Sequence, residues 1–235
     1  MEAIVLAGGF GTRLASRLKD VPKPMAAVAG RPFLEILLGH LSRHGCRRVV
    51  LSVGYLHEGI ERHFGASFAG MELAYAVEPE PLGTGGAIRA ALGRIEEPAA
   101  LVLNGDTFLD APLGALLAAH ASAGASFSMA VTQQPDVSRY GGVVVEREPE
   151  TGLDRVAGFV EKGRHGAGQI NAGVYAIQRA LEWPERLGAS FSFERDFLMV
   201  ELERLKPLAF AVNGFFLDIG VPEDLDRAQV ELAGY

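Results

Sequence analysis

Short apolar runs that alternate with amphipathic stretches are the feature that most constrains how this chain folds. Residues 3–6 (AIVL) and 99–103 (AALVL) are continuous apolar runs, typical of strands buried on both faces of a parallel sheet. Between them, the leucines of residues 34–41 recur at the i, i+3, i+4, i+7 spacing of one helix face. This alternation predicts an α/β fold.

The same reading along the first 135 residues yields five strands and four helices. Strands are predicted at 3–6, 49–52, 73–77, 99–103 and 127–131, and helices at 32–44, 58–64, 85–95 and 113–123. We expect a Rossmann-like mixed, mostly parallel sheet with helices on both faces. Ligands in such folds bind at the carboxyl ends of the strands.

The rhythm changes after Tyr140. Strand-like segments at 143–146, 156–161 and 169–177 follow one another without a clear helix, which predicts a meander that forms a small β-rich lobe. A helix at 193–205, strands at 208–212 and 215–218 and a final helix at about 223–232 complete the pattern. We expect one domain over 1–235 with two parts, about 1–135 and 136–220.

Charge and cysteine content exclude several classes of protein. The formal net charge is −7, from 22 Lys and Arg against 29 Asp and Glu, which argues against a nucleic-acid coat or an anionic membrane surface as partner. The single cysteine, Cys46, excludes an internal disulfide. The N-terminus has no basic secretory region, and prolines, glycines and polar residues interrupt the uncharged stretch 111–135. We expect a soluble, cytoplasmic protein.

The histidines predict no metal site. His40 and His44 stand at i and i+4, but leucines explain the helix that carries them. We interpret both as surface or satisfied residues.

The glycine-rich segment 6–14 (LAGGFGTRL) follows the first strand. Glycines after a strand let backbone N–H groups approach phosphate oxygens. Leu14 breaks the dinucleotide-binding fingerprint, and no Gly-Lys-Ser/Thr ends a P-loop. Arg13 is suited to bidentate phosphate contacts. The alternative is a structural turn with a surface arginine.

A single lysine stands between two prolines ten residues later. Pro22 and Pro24 fix the backbone on both sides of Lys23, which favours a preorganised phosphate contact over a solvated lysine. An ordinary proline-containing turn is the alternative for this motif alone.

Taken together, these motifs resemble those of the sugar-1-phosphate nucleotidylyltransferase family. The resemblance continues through 78–87 (EPEPLGTGGA), 103–106 (LNGD), 159–162 (FVEK), 171–175 (NAGVY) and 216–220 (FLDIG), and so spans essentially the whole chain. Segments 16–25, 31–35, 191–194 and 218–224 are similar to the D-glycero-α-D-manno-heptose 1-phosphate guanylyltransferase branch.

The resemblance implies a nucleotidyltransferase fold, related to that of GT-A glycosyltransferases, and a reaction between a nucleoside triphosphate and a sugar 1-phosphate. A sugar-phosphate oxygen attacks the α-phosphorus, and pyrophosphate leaves. It implies that Arg13 holds the β- and γ-phosphates, that Lys23 reaches the α-phosphate, and that Asp106 is the third catalytic residue. Asp106 and Asp218 are implied ligands of Mg²⁺, which takes oxygen ligands.

Further residues carry over by position. The implied nucleotide-binding residues are Leu6, Ala7, Gly8, Gly9, Gly11, Thr12, Arg13, Lys23, Glu78, Leu82, Gly83, Thr84, Asn104, Gly105 and Asp106. The implied sugar-phosphate residues, in the part at about 136–220, are Tyr140, Gly141, Glu161, Lys162, Asn171 and Gly173.

The expectations for the base and the sugar depend on fewer residues. The carboxylate of Glu78 offers two acceptors that match the guanine N1–H and N2–H₂ donors, which favours GTP; the backbone of 82–84 is an alternative reader. Heptose 1-phosphate is the first expectation, mannose 1-phosphate the second, and glucose 1-phosphate with a pyrimidine nucleotide the third. The product would serve surface polysaccharide synthesis, and a homodimer is left open.

Two other classes of protein are alternatives. A metal-dependent glycosyltransferase usually shows Asp-x-Asp after a central strand, whereas 104–108 here reads NGDTF. A non-catalytic nucleotide-sugar sensor has no need of Arg13, Lys23, Asp106 and Asp218 together.

Overall fold

The protein is described by a computed structural model that covers residues 1–9, 18 and 21–235. Gly11, Thr12 and Arg13 therefore lie outside the described residues. The strands are β1 (Glu2–Leu6), β2 (Ala27–Val28), β3 (Arg31–Pro32), β4 (Arg48–Val53), β5 (Ser67–Phe68), β6 (Met71–Val77), β7 (Ala99–Asn104), β8 (Thr107–Leu109), β9 (Phe127–Gln134), β10 (Gly142–Arg147), β11 (Asp154–Val160), β12 (Gly168–Gln178), β13 (Leu208–Val212) and β14 (Phe216–Asp218). The α-helices are α1 (Phe33–Arg43), α2 (His57–Phe64), α3 (Gly83–Leu92), α4 (Leu113–Ser122), α5 (Leu202–Leu205) and α6 (Pro222–Glu231).

One large mixed sheet organises the described residues. Its strand order is β10-β11-β13-β9-β12-β7-β1-β4-β6-β5. The run β7-β1-β4-β6 is parallel, β13 is parallel to β9, and the remaining neighbours are antiparallel. The predicted mixed α/β class is confirmed, with its parallel strands in the first half of the chain.

The position of strand β12 shows that the predicted meander is wrong. Strands β10 and β11 form an antiparallel hairpin, but β12 does not join it and lies instead between β7 and β9. Residues 172–177 of β12 are all buried, whereas β10 is partly exposed. A strand buried on both faces needs a central place in the sheet, so β12 takes it and β13 fills the position between β9 and β11.

Helices cover both faces of the sheet, as predicted. In β1, Ala3 and Val5 point to one apolar layer and Ile4 to the other, because successive side chains of a strand alternate. The first layer contains buried residues of α1, α2, α4 and α6, and the second contains residues of α3 and α5.

The predicted helix 193–205 is divided in two. Residues Phe193–Leu198 form a π-helical turn, and α5 is followed directly by Lys206, whose φ is +38°. Phe193 and Phe197 are buried against Trp183, and this aromatic packing sets the local path of the chain.

The uncharged stretch 111–135 divides into α4 and β9, as predicted. Among the residues that the structure describes, no helix has both the length and the apolar character to cross a membrane.

Candidate functional site

The register of the parallel strands places three strand ends side by side. Leu6 of β1 pairs with Ser52 of β4 on one side and with Asn104 of β7 on the other. The chain passes from β1 to β4 and β6, and then returns to the far side of β1 as β7. Such a switch of direction leaves a crevice at the carboxyl ends of the strands, where α/β proteins bind ligands.

A cleft of about 870 Å³ lies at this edge. Ten of the predicted nucleotide-binding residues line it: Leu6, Gly8, Gly9, Lys23, Glu78, Gly83, Thr84, Asn104, Gly105 and Asp106. Ala7 and Leu82 do not line it, but both bond to neighbouring residues: the N–H of Ala7 donates to the Ser52 carbonyl at 2.7 Å, and that of Leu82 to Glu78 Oε2 at 3.1 Å. The structure therefore brings the described part of the predicted nucleotide set together.

Two turns approach each other closely in the cleft floor. The N–H of Gly105 donates to the Leu6 carbonyl at 3.0 Å, and a Cβ on Gly105 would lie 2.4 Å from that oxygen. Only glycine permits this approach, so it fixes Asp106 beside the end of β1.

Glu78 holds the loop that forms one wall. Its Oε1 accepts from Ser52 Oγ at 3.0 Å and its Oε2 from the Leu82 N–H at 3.1 Å. A carboxylate has about four acceptor sites, so both oxygens retain capacity for a ligand.

Lys23 and Asp106 form an ion pair in the cleft. The Lys23 side chain is only 12% exposed, and it projects from a 3₁₀ turn, Lys23–Met25, that begins directly after Pro22. Asp106 Oδ1 accepts in addition from Thr107 Oγ1 at 3.2 Å. The rigid turn thus presents the ammonium group to the carboxylate that follows β7.

A two-stranded ribbon brings the second predicted metal ligand to the first. Strands β8 and β14 are antiparallel, and Asp218 pairs with Thr107, next to Asp106. Burial, and then the nearby Asp106 carboxylate, raise the pKa of Asp218. The neighbouring Asp106 and Asp218 side chains offer carboxylate oxygens, the donors that a hard cation prefers, so these residues fit Mg²⁺.

The predicted sugar-phosphate residues form two groups. A Cβ on Gly141, whose φ is +82°, would lie 3.6 Å from Lys162 Cγ, and one on Gly173 would lie 2.6 Å from Asn104 Nδ2. Gly173 thereby joins the cleft edge, and Gly141 joins Lys162.

Asn171 and Tyr140 link these groups to their surroundings. Asn171 Nδ2 donates to Tyr175 Oη at 2.8 Å and to Glu194 Oε1 at 2.7 Å. The ring of Tyr140 packs edge-on against Phe216 of β14 at 5.4 Å. Glu161 and Lys162 are exposed. The cleft lining itself includes none of the six predicted sugar-phosphate residues.

Comparisons with known proteins agree with this geometry. The family described as nucleotidyl transferase (NTP_transferase) matches residues 2–233. The chain belongs to the nucleotidyl transferase family. It is 41% identical, over 100% of both chains, to a D-glycero-alpha-D-manno-heptose 1-phosphate guanylyltransferase of Aneurinibacillus thermoaerophilus.

Two further proteins are similar to this nucleotidyl transferase. The D-glycero-alpha-D-manno-heptose 1-phosphate guanylyltransferase of Campylobacter jejuni is 41% identical over 95% of this chain and 96% of its own. The crystal structure of HddC from Yersinia pseudotuberculosis complexed with GMP-PN superposes with a TM-score of 0.82 at 34% identity, covering 97% of each chain.

The nucleotidyl transferase also has residues in or beside the cleft that the sequence did not predict. Arg139 Nη2 lies 3.8 Å from Asp218 Oδ2 and donates to the Asp218 carbonyl at 3.3 Å. The segment 54–58 forms part of the cleft wall. Its position directly after β4 was the available signal, since neighbouring parallel strands end at one edge. No sequence signal pointed to Arg139, because its partner lies 79 residues away.

Proposed function

We propose that this chain transfers a guanylyl group from GTP to D-glycero-α-D-manno-heptose 1-phosphate, giving GDP-heptose and pyrophosphate. The observation that carries the proposal is the cleft at the strand switch, where Lys23 pairs with Asp106 and where Asp218 lies close enough to that pair to feel its charges. The names of the full-length relatives in A. thermoaerophilus and C. jejuni support the choice of base and sugar.

The chemistry needs two anions to approach each other. An oxygen of the sugar phosphate attacks the α-phosphorus of GTP, and the bond to the bridging oxygen of pyrophosphate breaks. We assign Lys23 to this centre: its proline-flanked turn presents the ammonium group, which would offset charge that develops on the α-phosphate. The ammonium group of Lys23 pairs with Asp106. An ammonium group has three donors, so Lys23 can contact a phosphate oxygen as well as this carboxylate. We assign the β- and γ-phosphates to Arg13.

Mg²⁺ is the proposed cofactor, with Asp106 and Asp218 as its protein ligands. When bound, the ion neutralises phosphate charge and fixes phosphate orientation. We expect Asp218→Asn to raise the Mg²⁺ concentration for half-maximal turnover at least about tenfold, since one anionic ligand is lost.

A matched control separates this effect from a general loss of charge. Asp154→Asn removes a carboxylate of β11 that pairs with Arg147 at 3.7 Å, and it should leave the Mg²⁺ titration unchanged. An unaltered titration in Asp218→Asn would remove Asp218 from the metal site.

The second part of the chain, about 136–220, is proposed to bind the sugar phosphate. Lys162 would contact the phosphate, Glu161 and Asn171 the sugar hydroxyls, and the backbone at 140–141 and Gly173 the sugar ring. The first part, about 1–135, would bind the nucleotide. We further propose that the protein is cytoplasmic and serves surface polysaccharide synthesis. The homodimer stays a prediction, and sedimentation analysis of the oligomeric state would test it.

Pyrophosphate release tests the substrate assignment. The assay pairs GTP, CTP, UTP, dTTP and ATP with heptose, mannose and glucose 1-phosphates. Release with GTP and heptose 1-phosphate alone supports the proposal. A preference for mannose 1-phosphate would favour the second sugar, and turnover of a finished nucleotide sugar without pyrophosphate would favour a glycosyltransferase.

Glu78 is the proposed reader of guanine. The Glu78→Gln substitution replaces one acceptor with a donor, so the kcat/KM ratio of GTP over UTP should fall about tenfold or more. Glu80→Gln, an exposed residue on the same wall, is the matched control. An unchanged ratio in Glu78→Gln would assign base reading to the backbone at 82–84.

A further inference from the structure

A histidine pair and an aspartate meet between α1 and the end of β8, and none of the three lines the cleft. His40 and His44 lie one helical turn apart, with ring centroids 4.5 Å apart, and Asp110 directly follows β8. One ligand atom from each residue lies within 4.8 Å of the other two. We propose that His40, His44 and Asp110 form a second metal site, for a borderline divalent cation such as Zn²⁺.

His40 provides an observation that is independent of this spacing. Its side chain is 2% exposed, and its Nε2 atom is buried without a hydrogen-bond partner among the described residues. Buried imidazole nitrogens are normally satisfied, and coordination of a metal is one way in which such a nitrogen gains a partner. The sequence interpretation of His40 as a surface or satisfied residue is therefore wrong.

The surroundings of the three residues resemble the outer shell of a metal centre. Tyr235 Oη donates to Asp110 Oδ2 at 3.0 Å, which leaves Oδ1 for an ion. Phe108 packs edge-on against His40 at 5.0 Å and fixes the plane of the ring. Outer contacts of this kind orient ligands and strengthen binding.

The donor set selects the class of metal. Two imidazoles and one carboxylate, with a water as fourth ligand, suit tetrahedral Zn²⁺, whereas Mg²⁺ prefers oxygen ligands alone. Ligand atoms around tetrahedral Zn²⁺ lie about 3.3 Å apart, as bonds of about 2.0 Å require. The present ligand atoms lie within 4.8 Å of one another, so ion binding requires the most distant pair to approach by up to about 1.5 Å; half-buried His44 is the more exposed of the two histidines.

Titration of the chelator-treated protein with Zn²⁺ and Co²⁺ tests the proposal. We expect one equivalent of Co²⁺ with the visible absorption of a tetrahedral site, and a rise in Tm of about 5–10 °C at a hundredfold excess of Zn²⁺ over Kd. His44→Ala and Asp110→Asn should each weaken this binding at least about tenfold. Both avoid the fully buried His40, so folding is preserved.

Two controls make the outcome specific. His63→Ala removes a histidine that contacts Glu35 at 3.5 Å outside the cluster, and it should keep the Co²⁺ spectrum. Asp218→Asn should also keep it, which separates this site from the proposed Mg²⁺ site. Turnover with Mg²⁺ should be unchanged in His44→Ala. Absence of a tetrahedral Co²⁺ spectrum, or the same spectrum and affinity in His44→Ala, would overturn the proposal.

Discussion

At the residue scale, the cleft has an unexpected balance of charge. Among the described residues that line it, Lys23 is the lone lysine or arginine, whereas Glu58, Glu78, Glu80 and Asp106 are carboxylates. Without further positive charge, these carboxylates would repel a triphosphate. The two proposed cations, Arg13 and the metal, must therefore complete the positive charge that Lys23 begins.

Replacement of Lys23 tests its share of that charge. We expect Lys23→Ala to reduce kcat about 10²–10³-fold, because the α-phosphate loses an ammonium group held in a largely buried place. Steady-state pyrophosphate release measures the effect, and circular dichroism checks the fold. Lys206→Ala is the matched control, since exposed Lys206 lies outside the cleft and contacts Glu148 at 3.8 Å. Near-normal turnover in Lys23→Ala would contradict the assigned role.

The proposed site residues could be named from the sequence, but the contacts between them could not. Flanking prolines favoured a phosphate contact for Lys23, and the family resemblance implied Asp106 and Asp218 as metal ligands. The direct Lys23–Asp106 pair spans 83 residues, and the approach of Asp218 depends on the ribbon of β8 and β14. Such distant contacts depend on register, which local patterns do not encode.

At the element scale, the start of α3 depends on close packing against the segment 189–193. The Gly85 N–H donates to the Phe191 carbonyl at 2.9 Å, and the Phe191 N–H donates to the Leu82 carbonyl at 3.0 Å. A Cβ on Gly86 would lie 2.3 Å from the Ala189 carbonyl oxygen. The glycines of this motif therefore hold the cleft wall together.

Gly86→Ala should disturb this contact. Because the opposing atom belongs to the backbone, relief requires movement of α3, and we expect a loss of about 2 kcal/mol in the free energy of unfolding. Urea unfolding measures it. Gly59→Ala, in exposed and open space on α2, should instead stabilise by about 0.5–1 kcal/mol. Equal effects at both positions would contradict the packing argument.

Elements were predictable where periodicity was strong. The leucine face of α1 and the apolar runs of β1, β4 and β7 lie where they were expected. The short strands β2, β3, β5 and β8 were not predicted, because two or three residues are too few to show a period. The predicted place of β12 was wrong. Sequence order suggested that it pairs with β11, the preceding strand in the chain, whereas burial on both faces requires a place in the centre of the sheet.

At the scale of the whole molecule, buried histidines connect stability to pH. Burial, with smaller effects from His44 and Arg43 that Asp110 opposes, lowers the pKa of His40 from an ordinary 6.5 to about 4. Burial also lowers the pKa of His120, which contacts Ser128 Oγ at 2.8 Å. The unfolded chain therefore binds more protons than the folded one between about pH 6.5 and 4.

Stability should fall as pH falls through that interval. The share of His40 is about 3 kcal/mol, fully present above pH 6.5 and lost by about pH 4. Urea unfolding in the presence of a chelator, at steps from pH 7 to 4, measures the slope. His40→Leu should flatten it, and His63→Ala, at a partly exposed position, should not. A wild-type slope in His40→Leu would contradict the assignment.

Strand β12 has a consequence for how such proteins can be recombined. It pairs with β7 of the first part and with β9, whose other neighbour β13 comes from the far end of the chain. A chimera that joins two parents near residue 135 would therefore mix their side chains along the length of three central strands. With Asn171 and Lys162 as the proposed sugar-phosphate contacts, substitution of individual residues around them is the route to an exchange of sugar preference, whereas transplantation of the second part as a cassette should yield insoluble protein.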